Sequence, residues 1–432
     1  MTTPSAIGID FGTTNSSIGR VNSSGGVDLT RFEFQGSITG AYRSLLYLEQ
    51  HRDHGRIALK SWSGPKGVEQ YLASDTKGRL VQSLKSFLSS RSFTSTEVFG
   101  RPRTLEELIA RILEDLRGHA ERQFGAPIRS AVVGRPVRFV GSESTGDDDF
   151  ALERLRAAFQ LAGFERVSFE MEPVAAALWY ESTLDHDELI LIGDFGGGTS
   201  DFSLIHAGPA AHAARRRQRL LGNAGLGLAG DAFDAKIVRH VVSPALGAGT
   251  NWRSLGKVLP VPMWIYANLE RWHHLSFLKT KEVSSTLHSV RAQADEPQKI
   301  EALIDLVRGD LGYPLHRAVQ RTKCELSSQP EATFQFSEGG VEIEAAVQRA
   351  EFERWIAPEL ASIEACVDEL LVSARVPAAS VDCVFLTGGT SFVPAVRRIF
   401  ASRFGEERVR TGNEFTSVAQ GLALRAARSG RR

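Results

Sequence analysis

Two short stretches carry residue types that can handle a phosphate group. One is Asp10-Phe11-Gly12-Thr13-Thr14-Asn15; the other is Asp194-Phe195-Gly196-Gly197-Gly198-Thr199-Ser200-Asp201. In each, an apolar run leads to an aspartate, glycine and hydroxyl residues follow, and a second strand-like run comes after. That pattern reads as strand, tight turn, strand. Glycines let a backbone approach a bulky anion and point N–H groups at its oxygens. An aspartate at the turn mouth repels phosphate unless a divalent cation sits between them, so the turns point to phosphate with Mg²⁺. Ordinary β-hairpins also use such turns, and one copy alone leaves both readings open. The second copy matters more: Asp-Phe-Gly recurs about half a chain away, a spacing that suggests two similar lobes sharing a cleft rather than a solenoid.

Other residues could join that chemistry. Lys85 sits among Ser83, Leu84, Ser86, Phe87 and Leu88. It reads either as a surface cation with its stem on apolar neighbours or as an ammonium that reaches a terminal phosphate or the attacking water. Glu172 precedes Pro173 at the start of an alanine-rich helix. There it either complements the helix dipole or holds a metal-bound or attacking water. Gly388-Gly389, followed by Thr390 and Ser391, ends a buried strand and leaves room for a flat ring against the backbone. Gly225 to Gly230 forms a GxGxxG, but a basic segment precedes it and no acid lies about 20 residues on. A glycine turn opening a helix over residues 231–242 fits better, and that helix start could face phosphate. Asp147, Asp148 and Asp149 suit a helix N-terminus better than a metal site. His273 and His274 are adjacent and diverge, which disfavours a shared metal.

The elements that must position these residues follow from periodicity. Thr104 caps a helix over residues 104–124 with Glu107 at the capping-box position and Gly125 at its end. Residues 25–60 suggest short strands, and residues 130–136 a buried one. Helices are expected over residues 150–161, 173–180, 260–278, 297–311, 314–327, 351–373 and 416–428, with a hairpin over 334–346. The basic run 213–221 reads as a solvated strand edge or hairpin tip.

Composition bounds the rest. A chain of 432 residues predicts two to four subdomains. Hydrophobic content of 42% and charged content of 24% fit a globular protein. With 51 basic and 51 acidic residues the net charge is zero, which argues against nucleic-acid binding. No apolar run reaches the roughly 20 residues of a membrane helix. No signal peptide is visible at the N-terminus, so a cytoplasmic location is expected. Cys324, Cys366 and Cys383 lack metal-like spacing and read as buried, reduced thiols.

Taken in order, these motifs resemble the actin, sugar-kinase and 70-kilodalton heat-shock chaperone superfamily, and their wording is closest to the chaperones. Gly8 to Ser16 resembles the first phosphate loop, Glu172 to Ala177 the connecting helix, Asp194 to Asp201 the second loop, and Leu386 to Pro394 the adenosine motif. The resemblance covers the family's ATPase domain. The chain stops about where that domain ends, so the peptide-binding domain is not expected, and Gly134-Arg135-Pro136-Val137 is similar to the truncated YegD-like branch.

The resemblance implies an α/β actin-like ATPase fold: two lobes, each with a duplicated ribonuclease-H-like core and inserted subdomains. Residues 1–186 would form lobe I. Residues 187–410 would form lobe II, with a helical insertion over about 231–330. Residues 411–432 would return toward lobe I. It implies ATP/ADP with Mg²⁺ as cofactors. Asp10 and Asp194 would hold Mg²⁺ through water. Lys85, Glu172, Asp194 and Thr199 would be catalytic. Gly12, Thr13, Thr14, Asn15, Gly196, Gly197, Gly198 and Gly230 would cradle phosphate, and Lys323, Ser327, Gly388, Gly389, Thr390 and Phe392 would serve the adenosine. Gln320, Phe392 and Phe415 depart from the family's acid, arginine and aspartate, so the base end is altered while the phosphate end is intact. Ala229-Gly230-Asp231-Ala232 likewise replaces Gly-Gly-Glu-Asp. The expected function is a slowly hydrolysing, chaperone-like ATPase whose lobes switch with nucleotide. The alternatives are a nucleotide sensor without turnover or a small-molecule kinase. Expected partners are ATP and a protein that reads the closed state, with no nucleic acid and no membrane, the chain itself being a monomer.

Overall fold

Apolar strands that end at glycine turns pair into two sheets of the same topology. The computed structural model describes residues 7–34, 36–53, 56–74, 78–209, 220–254, 256–270, 278–411 and 416–429. Residues 213–219, His273, His274 and Phe415, named above, lie outside them. In the first sheet, strand Ile7–Phe11 is central, antiparallel to Asn15–Val21 and parallel to Ser130–Arg135. Val27–Leu29 and Arg166–Met171 flank these strands. In the second sheet, Glu188–Phe195 is central, antiparallel to Ser200–Ala207 and parallel to Cys383–Thr387. Leu220–Leu226 and Val409–Thr411 form its edges. Counted in chain order, both sheets run third, second, first, fourth, fifth, apart from the short Tyr42–Arg43 strand beside the first hairpin. The half-chain repeat in the sequence is therefore a repeat of topology.

The chain divides into two compact units. The first comprises Met1–Gly230, Ser362–Ser391 and Val396–Arg432, and holds both sheets. The second comprises Asp231–Ala361 and Phe392–Ala395, and contains helices Lys281–Gln293, Pro297–Arg308 and Gly312–Ser328 with the hairpin Glu331–Glu338 and Val341–Gln348.

In the first unit, helix Leu105–Phe124 forms with the capping box expected of Thr104 and Glu107, and Gly125 ends it in the left-handed conformation. Its face of Leu108, Ile109, Ile112, Leu113 and Leu116 joins Ile7, Ile9 and Val133 of the first sheet in one core. A second core joins Val132 to Ile190, Ile192 and Phe385 of the second sheet through helices Glu172–Glu181 and Ser417–Ser429. Small residues let those two helices touch. A Cβ at Gly421 would sit 1.7 Å from the Ala175 carbonyl oxygen. In a free helix, Gly→Ala stabilises by about 1 kcal/mol. Here the collision reverses the sign, and Gly421→Ala is expected to lose about 3 kcal/mol or more in urea unfolding. A gain in stability would show that the helices can separate without loss.

Several local expectations need correction. The helix placed at residues 150–161 begins earlier and spans Thr145–Leu161, because Ser144 and Asp147 form a capping box. The long helix over 351–373 is two helices, Arg349–Trp355 and Ala357–Ala374, with Pro358 in the first turn of the second, where its missing N–H costs nothing. Gly225 is not in a turn but in strand Leu220–Leu226. A Cβ there would lie 2.8 Å from Asp201 Oδ1. Cys366 and Cys383 are buried, but Cys324 is exposed. Among the described residues, no helix is long and apolar enough to cross a membrane.

Candidate functional site

The two phosphate-type turns have equal length. Phe11 pairs with Ser16 and Phe195 with Ser200, so each central strand turns back over the same number of residues. Asp10 and Asp194 stand at equivalent positions, one residue before the strand ends. The glycines are required by close approach. A Cβ at Gly12 would meet the Asn15 carbonyl oxygen at 2.2 Å. The Gly196 N–H donates to the Thr199 carbonyl at 2.9 Å, which closes the second turn.

The turns converge. A Cβ at Gly198 would sit 2.9 Å from Val140 Cγ2 and 3.5 Å from Thr13 Oγ1. Beside them, Lys85 and Glu172 form an ion pair at 2.7 Å, both side chains nearly buried. The surface-cation reading of Lys85 is thus overturned. It lies on a short helical turn, Leu84–Phe87, that directs it inward. Glu172 opens its helix with Pro173 in the first turn, as expected, and its stem packs over Gly134, where a Cβ would be 3.1 Å from Glu172 Cγ.

Carboxyls crowd this ammonium. Burial, then the charge of Glu172, pushes Asp10 from 3.8 up to about 7, with Lys85 opposing. Burial also holds Asp194 well above its ordinary value, reinforced by Glu172, Asp10 and Asp201. Burial pulls Lys85 down, but Glu172, Asp10 and Asp201 outweigh it and leave the ammonium raised. Asp201 was read in the sequence only as part of the turn, yet it belongs to the cluster. It pairs across the hairpin from Asp194, where the first hairpin has Ser17 opposite Asp10. Its Oδ1 accepts from Val137 N at 2.7 Å and Arg138 N at 3.4 Å, which ties the end of one sheet to the turn of the other. Burial, then Glu172, pushes it up to about 7. The equal hairpin length was the signal that could have found it.

These shifts fix a pH dependence. Asp10 keeps its proton in the folded state up to about 7 but loses it near 3.8 in the unfolded chain. The native state therefore binds more protons between those values, and unfolding free energy falls as pH rises through that window. Asp10→Asn is expected to flatten that slope and to raise the stability of nucleotide-free protein at about pH 8 relative to wild type, as read by urea unfolding at about pH 5 and pH 8. An unchanged slope would contradict the buried carboxyl cluster.

The remaining predicted residues divide between the units. Gly388 has φ +86 and stacks its backbone on Phe195, whose carbonyl oxygen a Cβ would meet at 2.0 Å. Gly389 and Thr390 follow in a short helical turn. The Gly230 N–H and the Thr390 hydroxyl both face the Gly196 carbonyl, at 3.4 and 3.5 Å. Thr14 accepts from the Ser44 N–H at 3.0 Å, and Asn15 starts the return strand. Gly197 and Thr199 complete the second turn. Lys323, Ser327 and Phe392 belong to the second unit. There Lys323 pairs with Asp234 at 2.7 Å, Ser327 donates to the Lys323 carbonyl, and Phe392 is exposed. Burial, then Asp234, pushes the nearby Asp231 up to about 6, with Lys323 opposing. The Lys323–Asp234 pair carried no signal in the sequence, since it links two helices.

The donor set suits a cation–phosphate pair. Gly12 and Gly198 leave no room for a side chain in either turn, and three carboxyls pushed toward neutrality would be eased by a cation. Among the described residues, no group of three or more His, Cys, Asp or Glu side chains is arranged to hold a metal ion directly.

Two sheets of one topology, each presenting a glycine–aspartate turn from its central strand, are the architecture of the actin-like ATPase fold. Over residues 70–247 and 296–430 the sequence matches the Hsp70 protein family, and the chain belongs to that family. It is 26% identical over 430 residues to the chaperone protein DnaK of Deinococcus proteolyticus, covering 98% of this chain and 59% of that protein. It is 28% identical over 338 residues to the chaperone protein DnaK of Thermus thermophilus, covering 76% of this chain and 44% of that protein. It is 27% identical over 322 residues to the chloroplastic heat shock 70 kDa protein 6 of Arabidopsis thaliana, covering 74% of this chain and 36% of that protein. The chain thus spans less than two thirds of the length of these relatives.

Proposed function

We propose that the chain binds Mg-ATP at the paired glycine turns and hydrolyses it slowly, as a chaperone-type ATPase whose lobes switch with nucleotide. The observation that carries this reading is the buried Lys85–Glu172 pair beside Asp10, Asp194 and Asp201 at the mouths of both turns. Mg²⁺, when bound, would supply neutralisation of phosphate charge. Asp10 and Asp194 would hold its waters. The backbone and hydroxyls of Gly12, Thr13, Thr14, Asn15, Gly196, Gly197, Gly198 and Thr199 would bind phosphate oxygens. Glu172 would orient the attacking water, and Lys85 would hold its charge against the terminal phosphate. Hydrolysis needs little beyond such positioning and charge. Gly388 and Gly389 would back the base, and the family resemblance assigns Lys323, Ser327 and Phe392 to the adenosine as well.

In this reading residues 1–186 and 187–410 act as lobes, and a partner protein reads their closed state. A sensor that binds without turnover is the second reading, favoured by Gln320 and Phe392 at the base end. Calorimetry with Mg-ATP, followed by phosphate release in the same sample, separates the two. Binding with slow release supports the ATPase, and binding without release supports the sensor. Failure to bind ATP, ADP or GTP would sink both.

A further inference from the structure

Arg154 lies on helix Thr145–Leu161 and is buried, with 7% of its surface exposed. A buried guanidinium must place its donors. Its Nε donates to the Glu106 carboxylate. Its Nη1 donates to the carbonyls of Phe87 and Leu88, each at 3.3 Å, and of Ser90 at 3.1 Å. Its Nη2 donates to the carbonyl of Phe93 at 3.1 Å. All four carbonyls belong to the segment that directly follows Lys85. That segment has little regular structure of its own. It enters through Ser83 at φ 53, makes one short helical turn over Leu84–Phe87, and continues as turns and bends to Phe93. The Lys85 carbonyl accepts from the N–H of Leu88 at 3.3 Å, and the Leu88 carbonyl is one of the four that Arg154 holds, so the clamped backbone is hydrogen-bonded directly to the residue that carries the ammonium.

We propose that Arg154 is a positioning residue for Lys85. Its planar fork clamps the loop 87–93 from the side of helix Thr145–Leu161 and thereby holds the Lys85 ammonium on Glu172. Glu106 in turn holds the guanidinium in plane. A lysine at this position has one compact ammonium and cannot span four carbonyls, so the clamp requires a guanidinium and not merely a positive charge. The catalytic half of this proposal rests on the reading of Lys85 above; the structural half does not.

The test uses Arg154→Lys and Arg154→Met in the full chain, each checked for folding by its unfolding transition. Lys85 is followed by mass spectrometry after brief acylation with acetic anhydride. Lys236 and Lys323, both ion-paired in the second unit, serve as internal references. The expected result is Lys85 acylation raised about tenfold in both variants with the references unchanged, the signature of local opening. Single-turnover ATP hydrolysis should fall roughly ten- to a hundredfold while the Kd for Mg-ATP stays within about twofold, because displaced groups cost rate more than ground-state affinity. If Lys85 remains protected in folded Arg154→Lys, the clamp is overturned. If Lys85 opens but wild-type protein never hydrolyses ATP, the clamp stands and the proposed function fails. Should Arg154→Met not fold, Arg154→Lys gives the same reading, and Glu106→Gln gives a smaller change in the same direction.

Discussion

Lys85→Met is expected to abolish the proposed ATP turnover and to destabilise the fold together. The ammonium is nearly buried and sits 2.7 Å from Glu172. Removing one partner of a buried pair leaves the other charge uncompensated, at a cost of about 3–5 kcal/mol. Lys85 also opposes the upward push on Asp10 and Asp194, so its loss drives those carboxyls further toward the protonated form. The rate effect follows from charge. A preorganised cation facing a transferring phosphoryl group is worth roughly a hundred- to a thousandfold in turnover. Urea unfolding and single-turnover hydrolysis would read both effects. The double variant Lys85→Met/Glu172→Gln separates them, since neutralising both partners should recover most of the lost stability and none of the rate. A single variant as stable and as active as wild type would remove Lys85 from the site.

Gly388→Ala should be the most disruptive single-methyl change near the site. Two penalties combine there. The left-handed backbone costs an L-residue roughly 1–2 kcal/mol. The added Cβ would also lie 2.0 Å from the Phe195 carbonyl oxygen and 3.0 Å from its N, backbone that belongs to the central strand of the second sheet. Neither side can yield without moving the second phosphate-type turn, which begins at the next residue. A loss above about 4 kcal/mol, or no folded protein, is expected. Gly125→Ala is the comparison that isolates the clash. Gly125 also has positive φ, +67, but nothing lies within 4 Å of its Cβ position. It should therefore cost only about 1 kcal/mol. Equal losses at the two positions would mean that backbone conformation, not packing, sets the requirement at Gly388.

The sequence by itself determined the phosphate-type turns and the repeat that pairs them. These are local: strand patterning, a glycine that permits close approach and a carboxylate at the turn mouth are fixed within a dozen residues. The capping box of Thr104 and Glu107 and the Glu172-Pro173 helix start were legible for the same reason. The tertiary structure decided the rest. Whether Lys85 faced water or the interior was open in the sequence, because a lysine among apolar neighbours suits either; the partner that settles it lies 87 residues away. Asp201 became part of the cluster through hairpin register and through the N–H groups of Val137 and Arg138, which no spacing rule connects to it. Arg154 gave no signal at all, since its role depends on four carbonyls of a loop with little regular structure. Types and turns are short-range information carried by backbone sterics and propensity. The charge a group holds and the direction it faces are set by burial and by neighbours brought together only when the sheets and helices pack.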